Sequence, residues 1–259
     1  LYARPNKQKT KKKVKMRSRK SYSLNNMMIH HHVSTLQNAT LISQTYLMSL
    51  IYVVIFLTPV LVNGINLSNV SSDYFGISML VGVILGSNCA TPSTFLGVGI
   101  SLEKENYHFI KSLPYPFKKF LTQKFLVLAA LQAFVPAMVY LIVGIFLLKL
   151  KPLLILGFLL GLLMMISIQG QLIYWRDYKN LNLLWQDVTQ LFSRNSGQWL
   201  TFGMMMGSYI IGGGLALGLV IIGNVIHQVQ LINMTLTLVL VLLAAAIQVL
   251  ISLKFWKKL

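Results

Sequence analysis

Acidic side chains are almost missing from this chain: Asp and Glu number 5 in 259 residues, against 23 Lys and Arg. Charged residues make up 11% of the sequence, too few for the surface of a soluble domain, which carries roughly 25%. No carboxylate falls in the middle of an apolar run. Asp73, Asp177 and Asp187 stand at run ends or in connections, and Glu103 and Glu105 share one polar stretch. Proton- and ion-coupled carriers place an ionisable group at mid-membrane, so that class is disfavoured. The one cysteine, Cys89, excludes a disulfide framework and a Cys-based zinc site. No G-x-x-x-x-G-K-[ST], H-E-x-x-H or G-x-S-x-G motif occurs, so no nucleotide cradle of that kind and no catalytic residue is nominated. His30, His31 and His32 are adjacent and would point in different directions on a helix, which argues against a metal site. His227 is isolated and reads as a wet loop residue.

What is abundant is apolar sequence, 55% of the chain, in runs of membrane-spanning length between residues 41 and 254. The expected fold class is all-α: a polytopic bundle of six transmembrane helices at about 41–63, 75–99, 123–148, 153–175, 199–223 and 232–253. Segment 1–40 holds ten Lys/Arg, the 100–124 connection five, the 176–198 connection three and the C-terminal end three. The alternate connections hold only Lys149 and Lys151, which sets both termini on the cytoplasmic side. This asymmetry accounts for the net charge of +18 without a nucleic-acid partner. Residues 1–22 read as a basic tail or linker held near anionic lipids. Residues 23–40 read as an amphipathic interfacial helix before the first span. A start on a basic run at Leu1 reads as a cut inside a longer polypeptide or an incomplete gene model.

The stretch 101–122 is the most polar element between spans. Its first half predicts a helix with Ser101 as N-cap and Glu103 in the first turn. Leu102, Phe109 and Leu113 fall in one arc with Ile110 at its margin, opposite Lys104, Tyr107, His108 and Lys111. Pro114 and Pro116 should end it, leaving a basic collar over 115–122. The second and fifth spans share a spacing of small residues: Gly82, Gly86, Ser93 and Gly97, then Gly203, Gly207, Gly214 and Gly218. Ordinary close helix packing is one reading of these faces, and a central moving interface is the other. Asn88, Thr91, Ser93 and Gln169 are the few polar groups a stand-alone carrier or channel could use, and a non-transporting scaffold is a third reading. A bundle with no energy source of its own, elaborated on its cytoplasmic side, is best read as a subunit driven by another protein.

Two cytoplasmic segments resemble a known family. SLEKENYHFIKSLP is similar to the S-L-E-G-K-N-x-x-x-x-K-S-L-P signature of type-2 ATP-binding-cassette (ABC) exporter permeases of bacteria, especially the long two-halved Gram-positive ones. Ser101, Leu102, Glu103, Asn106, Lys111, Ser112, Leu113 and Pro114 match, whereas Lys104 and Glu105 replace the usual Gly and Lys. The segment from Asp177 to Asn195 resembles the family's D-x-x-x-P-x-L-x-W pattern through Asp177, Leu183 and Trp185, with Leu181 in place of Pro.

The resemblance implies a coupling helix over 102–113 that docks on a separate ATPase dimer. Leu102, Glu103, Glu105, Asn106, Phe109, Ile110, Lys111, Leu113 and Pro114 would be its residues. ATP and magnesium would sit on that partner, with no cofactor in this chain. It also implies a facing second permease half, with the second and fifth spans lining the path between them. The chain would then be a C-terminal half in a bacterial plasma membrane. Glu103 and Glu105 would meet basic groups of the ATPase, or cap backbone donors. Lys111, Lys118 and Lys119 would hold lipid headgroups.

Overall fold

In a computed structural model, residues 24–64 and 67–257 are described, and they are helical with no strand among them. The basic segment 1–22 lies outside the described residues. Helix α1 (Leu24–Ser34) and α2 (Ala39–Val62) come first, then α3 (Phe75–Cys89), the single turn α4 (Phe95–Val98) and the short α5 (Asn106–Ser112). After these come α6 (Phe117–Ile142), α7 (Pro152–Lys179), α8 (Thr189–Ser193), α9 (Gly197–Gly207), α10 (Gly214–Ile226) and α11 (Val229–Ile251). Among the described residues four continuous helices are long and apolar enough to cross a membrane: Phe117–Leu147, Pro152–Lys179, Gly197–Ile226 and Val229–Trp256. They coincide with the last four predicted spans.

The predicted span 75–99 is not one helix. Its 15-residue first part, α3, reaches only about 22 Å at 1.5 Å per residue, short of a hydrocarbon core of roughly 30 Å. Pro92 has no N–H to continue the helix, and Ala90 and Thr94 leave helical backbone. Backbone groups freed in a dry interior must find other partners. Two glutamines supply them. Gln132 of α6 donates to the Cys89 carbonyl at 2.6 Å and accepts from Leu96 N–H at 3.0 Å. Gln169 of α7 donates to the Ser87 and Ala90 carbonyls at 2.8 and 2.7 Å.

Close helix packing is concentrated between α3 and α7. A methyl added to Gly82 would run into the Phe158 carbonyl, and one added to Gly161 into the Met79 carbonyl. Gly86 and Gly157 meet the facing helix almost as closely, so two i, i+4 glycine pairs form one seam. This is the packing reading for Gly82 and Gly86. Gly97 instead abuts the Pro92 carbonyl inside the break, and Ser93 is buried there beside Thr91 at 3.2 Å. Gly203, Gly207, Gly214 and Gly218 have open space around them.

The matching face predicted for the fifth span is therefore not built within this chain. A π turn, Ser208–Gly213, also lies between Gly207 and Gly214, so the two glycine pairs do not share one continuous helical phase. The fifth span meets α3 through other residues: Gly212 against Ile84, and Ala216 beside Leu80 and Ile84.

The largest core cluster sits at the basic end. Phe120, Leu121 and Leu128 of α6, Tyr174 of α7, Leu96 and Ile100 of the broken segment, Leu191 and Phe255 pack there. α1 lies across α6, with the His32 ring 4.9 Å from Phe120 and Gln123 donating to the Asn25 carbonyl.

Candidate functional site

The two motifs read from the sequence, about 80 residues apart, form one cluster. Asp177, fully buried near the end of α7, accepts from the backbone N–H of Ile100 at 2.7 Å and of Ser101 at 3.1 Å. It also accepts from the Ser101 hydroxyl at 2.6 Å and from Arg194 at 2.7 Å. Arg194 reaches the same Ser101 hydroxyl at 2.7 Å, and its carbonyl accepts from Arg176. Trp185 donates its indole N–H to the Ser101 carbonyl at 2.9 Å. Leu183 is half-buried on the core, while Leu184 next to it is exposed.

Ser101 is thus not the N-cap of a 102–113 helix. It opens a separate 3₁₀ turn, Ser101–Glu103. Lys104 then takes φ +49°, outside the usual range for a residue with a Cβ, and α5 starts afresh at Asn106. The Lys104 ammonium lies 3.6 Å from the centre of the Trp185 ring, a cation–π contact across the two motifs.

Glu103 is turned inward. Its carboxylate pairs with the Lys124 ammonium and accepts from His31 Nε2 at 2.9 Å. Both the Glu103 and Lys124 side chains are fully buried. Burial works to raise the Glu103 pKa, but the His31 hydrogen bond and the Lys124 charge outweigh it and hold the carboxyl below its ordinary range. Glu103 therefore cannot meet an outside partner as the sequence reading expected. Its opposite charges are internal.

The break at Lys104 also resets the helical phase, so the predicted apolar arc does not exist. Leu102, Tyr107 and Ile110 face the core, whereas Phe109 is 64% and Leu113 37% exposed. Glu105, Asn106, His108, Lys111 and Pro114 are exposed beside them. As predicted, the helix stops before Pro114, with Leu113 in extended backbone. Lys118 of the collar donates to the Trp256 carbonyl, and Lys119 lies over the Tyr115 ring at 5.8 Å.

Sequence reasoning did not single out Lys124, Arg194 or Gln132, and it weighed His31 only as a metal ligand. Lys124 carried a usable signal, as a lysine inside the start of an apolar span. The polar residues considered for a carrier site gather at the helix break, where the structure uses them. Gln169 bonds the backbone, Asn88 donates to the Ile84 carbonyl at 2.9 Å, and Ser93 accepts from Gln44. Among the described residues no three His, Cys, Asp or Glu side chains gather as metal ligands.

His32 is fully buried, and its two ring nitrogens have no hydrogen-bond partner among the described residues. Burial, reinforced by the Lys124 charge, pushes its pKa down to about 4 from 6.5. In the unfolded chain His32 takes a proton near 6.5, and in the folded chain only near 4. The unfolded state binds the extra proton between these values, so the contribution of His32 to stability is level above pH 6.5 and falls as pH drops through that window. Thermal unfolding of the detergent-solubilised chain should move to lower temperature between pH 7 and pH 5, and His32→Phe should flatten that slope. A slope unchanged in the variant would refute the assignment.

The cluster is a rigid link from an exposed helix, α5, to the two long helices α6 and α7. The chain matches no protein-family model, no curated protein and no solved structure.

Proposed function

We propose that this chain is the transmembrane permease subunit of an ATP-driven ABC exporter, moved by a separate ATPase that docks on α5. The observation that carries this reading is the two-sided character of α5. Phe109 and Leu113 are exposed beside Lys111, while Tyr107 and Ile110 are buried and the preceding turn is tied to α6 and α7 through Glu103 and Asp177. A force applied to the exposed side would pass to the long helices without loss in a flexible loop.

In this reading α2 and the broken α3–α4 unit make the first two of six crossings, and both termini lie in the cytoplasm of a bacterium. A second permease half or subunit would complete the assembly, ATP and magnesium would bind the ATPase dimer, and anionic lipids would hold the basic end. The docking surface is Glu105, Asn106, Phe109, Lys111, Leu113 and Pro114, without the buried Leu102, Glu103 and Ile110. A stand-alone carrier gains no support from Gln169, whose bonds serve the helix break.

The test is co-purification of the full chain with a co-expressed ATPase subunit of the ABC class. Phe109→Asp combined with Leu113→Asp should weaken ATPase retention about 30-fold or more, as loss of a buried anchor does, with an unchanged unfolding temperature. Wild-type retention by the folded double variant would sink the docking assignment.

A further inference from the structure

Between α3, α6 with its following turn, α7 and the 67–74 connection lies a cavity of about 820 Å³ that none of the contacts above uses. Its size is within the ligand-binding range of roughly 300–1,000 Å³. Val70, Ile77, Val81, Tyr140, Ile155 and Phe158 form much of its wall.

Three polar groups in that wall are already engaged. The Ser78 hydroxyl donates to the Leu154 carbonyl at 2.6 Å, the Tyr74 hydroxyl to Asn224 at 3.0 Å, and the Ser71 hydroxyl to Asp73 at 2.7 Å. A charged or polar occupant would lose its hydration there without replacement. An alkyl chain from the bilayer meets an apolar wall there as it does among lipid tails, so it pays no desolvation and gains packing contacts.

The rim differs from the wall in charge. Leu148 and Leu150 line the cavity, and the exposed Lys149 and Lys151 alternate with them. Lys149 sits at φ +50°, on the tight turn between α6 and α7. These two lysines are the sole Lys/Arg in the connections at this end, since 64–74 and 224–231 contain none. The one carboxylate nearby in sequence, Asp73, is exposed and takes the Ser71 bond. An apolar chamber with a paired cationic rim fits an amphiphile with an alkyl tail and an anionic head.

We propose that this cavity binds one acyl chain of an anionic phospholipid from the adjoining leaflet, with Lys149 and Lys151 at its headgroup. The site needs no ATPase and stands or falls separately from the function proposed above.

Native mass spectrometry of the full chain in detergent, with added phosphatidylglycerol or phosphatidylcholine of the same acyl chains, tests it. One phosphatidylglycerol should be held in preference to phosphatidylcholine. Lys149→Gln with Lys151→Gln should weaken phosphatidylglycerol by about fivefold per lysine and leave phosphatidylcholine unchanged. Val81→Trp, or Ile155→Trp if the first does not fold, should fill the chamber and abolish the preference. Wild-type phosphatidylglycerol binding by a folded tryptophan variant would overturn the proposal by locating the lipid elsewhere. Equal binding of the two lipids, unmoved by the glutamine pair, would overturn it by removing the headgroup contact.

Discussion

Asp177→Ala is expected to destabilise the chain by about 3–5 kcal/mol, the usual cost of removing one partner from a buried ion pair. The carboxylate takes bonds from two backbone N–H groups, a hydroxyl and a guanidinium, and all four donors lose their acceptor together. Arg194, whose side chain is 9% exposed, would keep its charge with little water to receive it. The Ile100 and Ser101 amides lie where the broken segment turns toward α5, so the loss would reach the position of that helix. Asp177→Asn keeps the shape and one acceptor oxygen, and should cost distinctly less. Equilibrium unfolding in mixed micelles gives both values. An alanine variant within about 0.5 kcal/mol of wild type, the range of an ordinary surface substitution, would mean the cluster is ornamental.

The Glu103–Lys124 pair should give an effect of similar size with an opposite lesson in the double variant. Lys124→Met alone leaves a buried carboxylate with only His31 as partner, and Glu103→Gln alone leaves a buried ammonium without its counter-charge. Each single change is expected to cost about 3–5 kcal/mol. Both together remove the charges and should recover most of the loss, because a buried pair exchanged for neutral groups is often near neutral. The cycle measures the coupling directly. Simple addition of the two single costs would refute the pairing. Glu103→Lys, an obvious choice for disturbing a docking helix, would place two ammonium groups in this site and report on folding instead.

The four long helices were legible because lipid demands an unbroken apolar run, and the runs from Phe117 to Trp256 satisfy that demand locally. The break after Cys89 was not. Pro92 by itself is compatible with a mere kink, and a full break depends on Gln132 and Gln169, which arrive from other helices. The same limit applied to Glu103. Nothing in its neighbourhood announces Lys124, 21 residues on, or His31, 72 residues back. Helical periodicity failed over 101–113 because it assumes one continuous phase, and Lys104 ends that phase with a positive φ. The two motifs were each noticed, yet their union through Ser101 and Asp177 is a fact of tertiary structure. The glycine repeat illustrates the same point in reverse. Equal spacing in two spans implied equal faces, but a π turn at Ser208–Gly213 makes the second spacing refer to a different geometry.

The glycine seam and the Gln169 bonds together have a mechanical consequence. Along the seam α3 and α7 touch backbone to backbone, and at its end Gln169 clamps the last carbonyls of α3. Sliding one helix past the other would drive peptide groups into each other and strand those carbonyls in a dry interior. The pair is then a single lever, with Asp177 near one tip and the short connections at the other. Bending in this chain belongs to the places outside the lever, above all the π turn of the fifth span and the 143–151 corner.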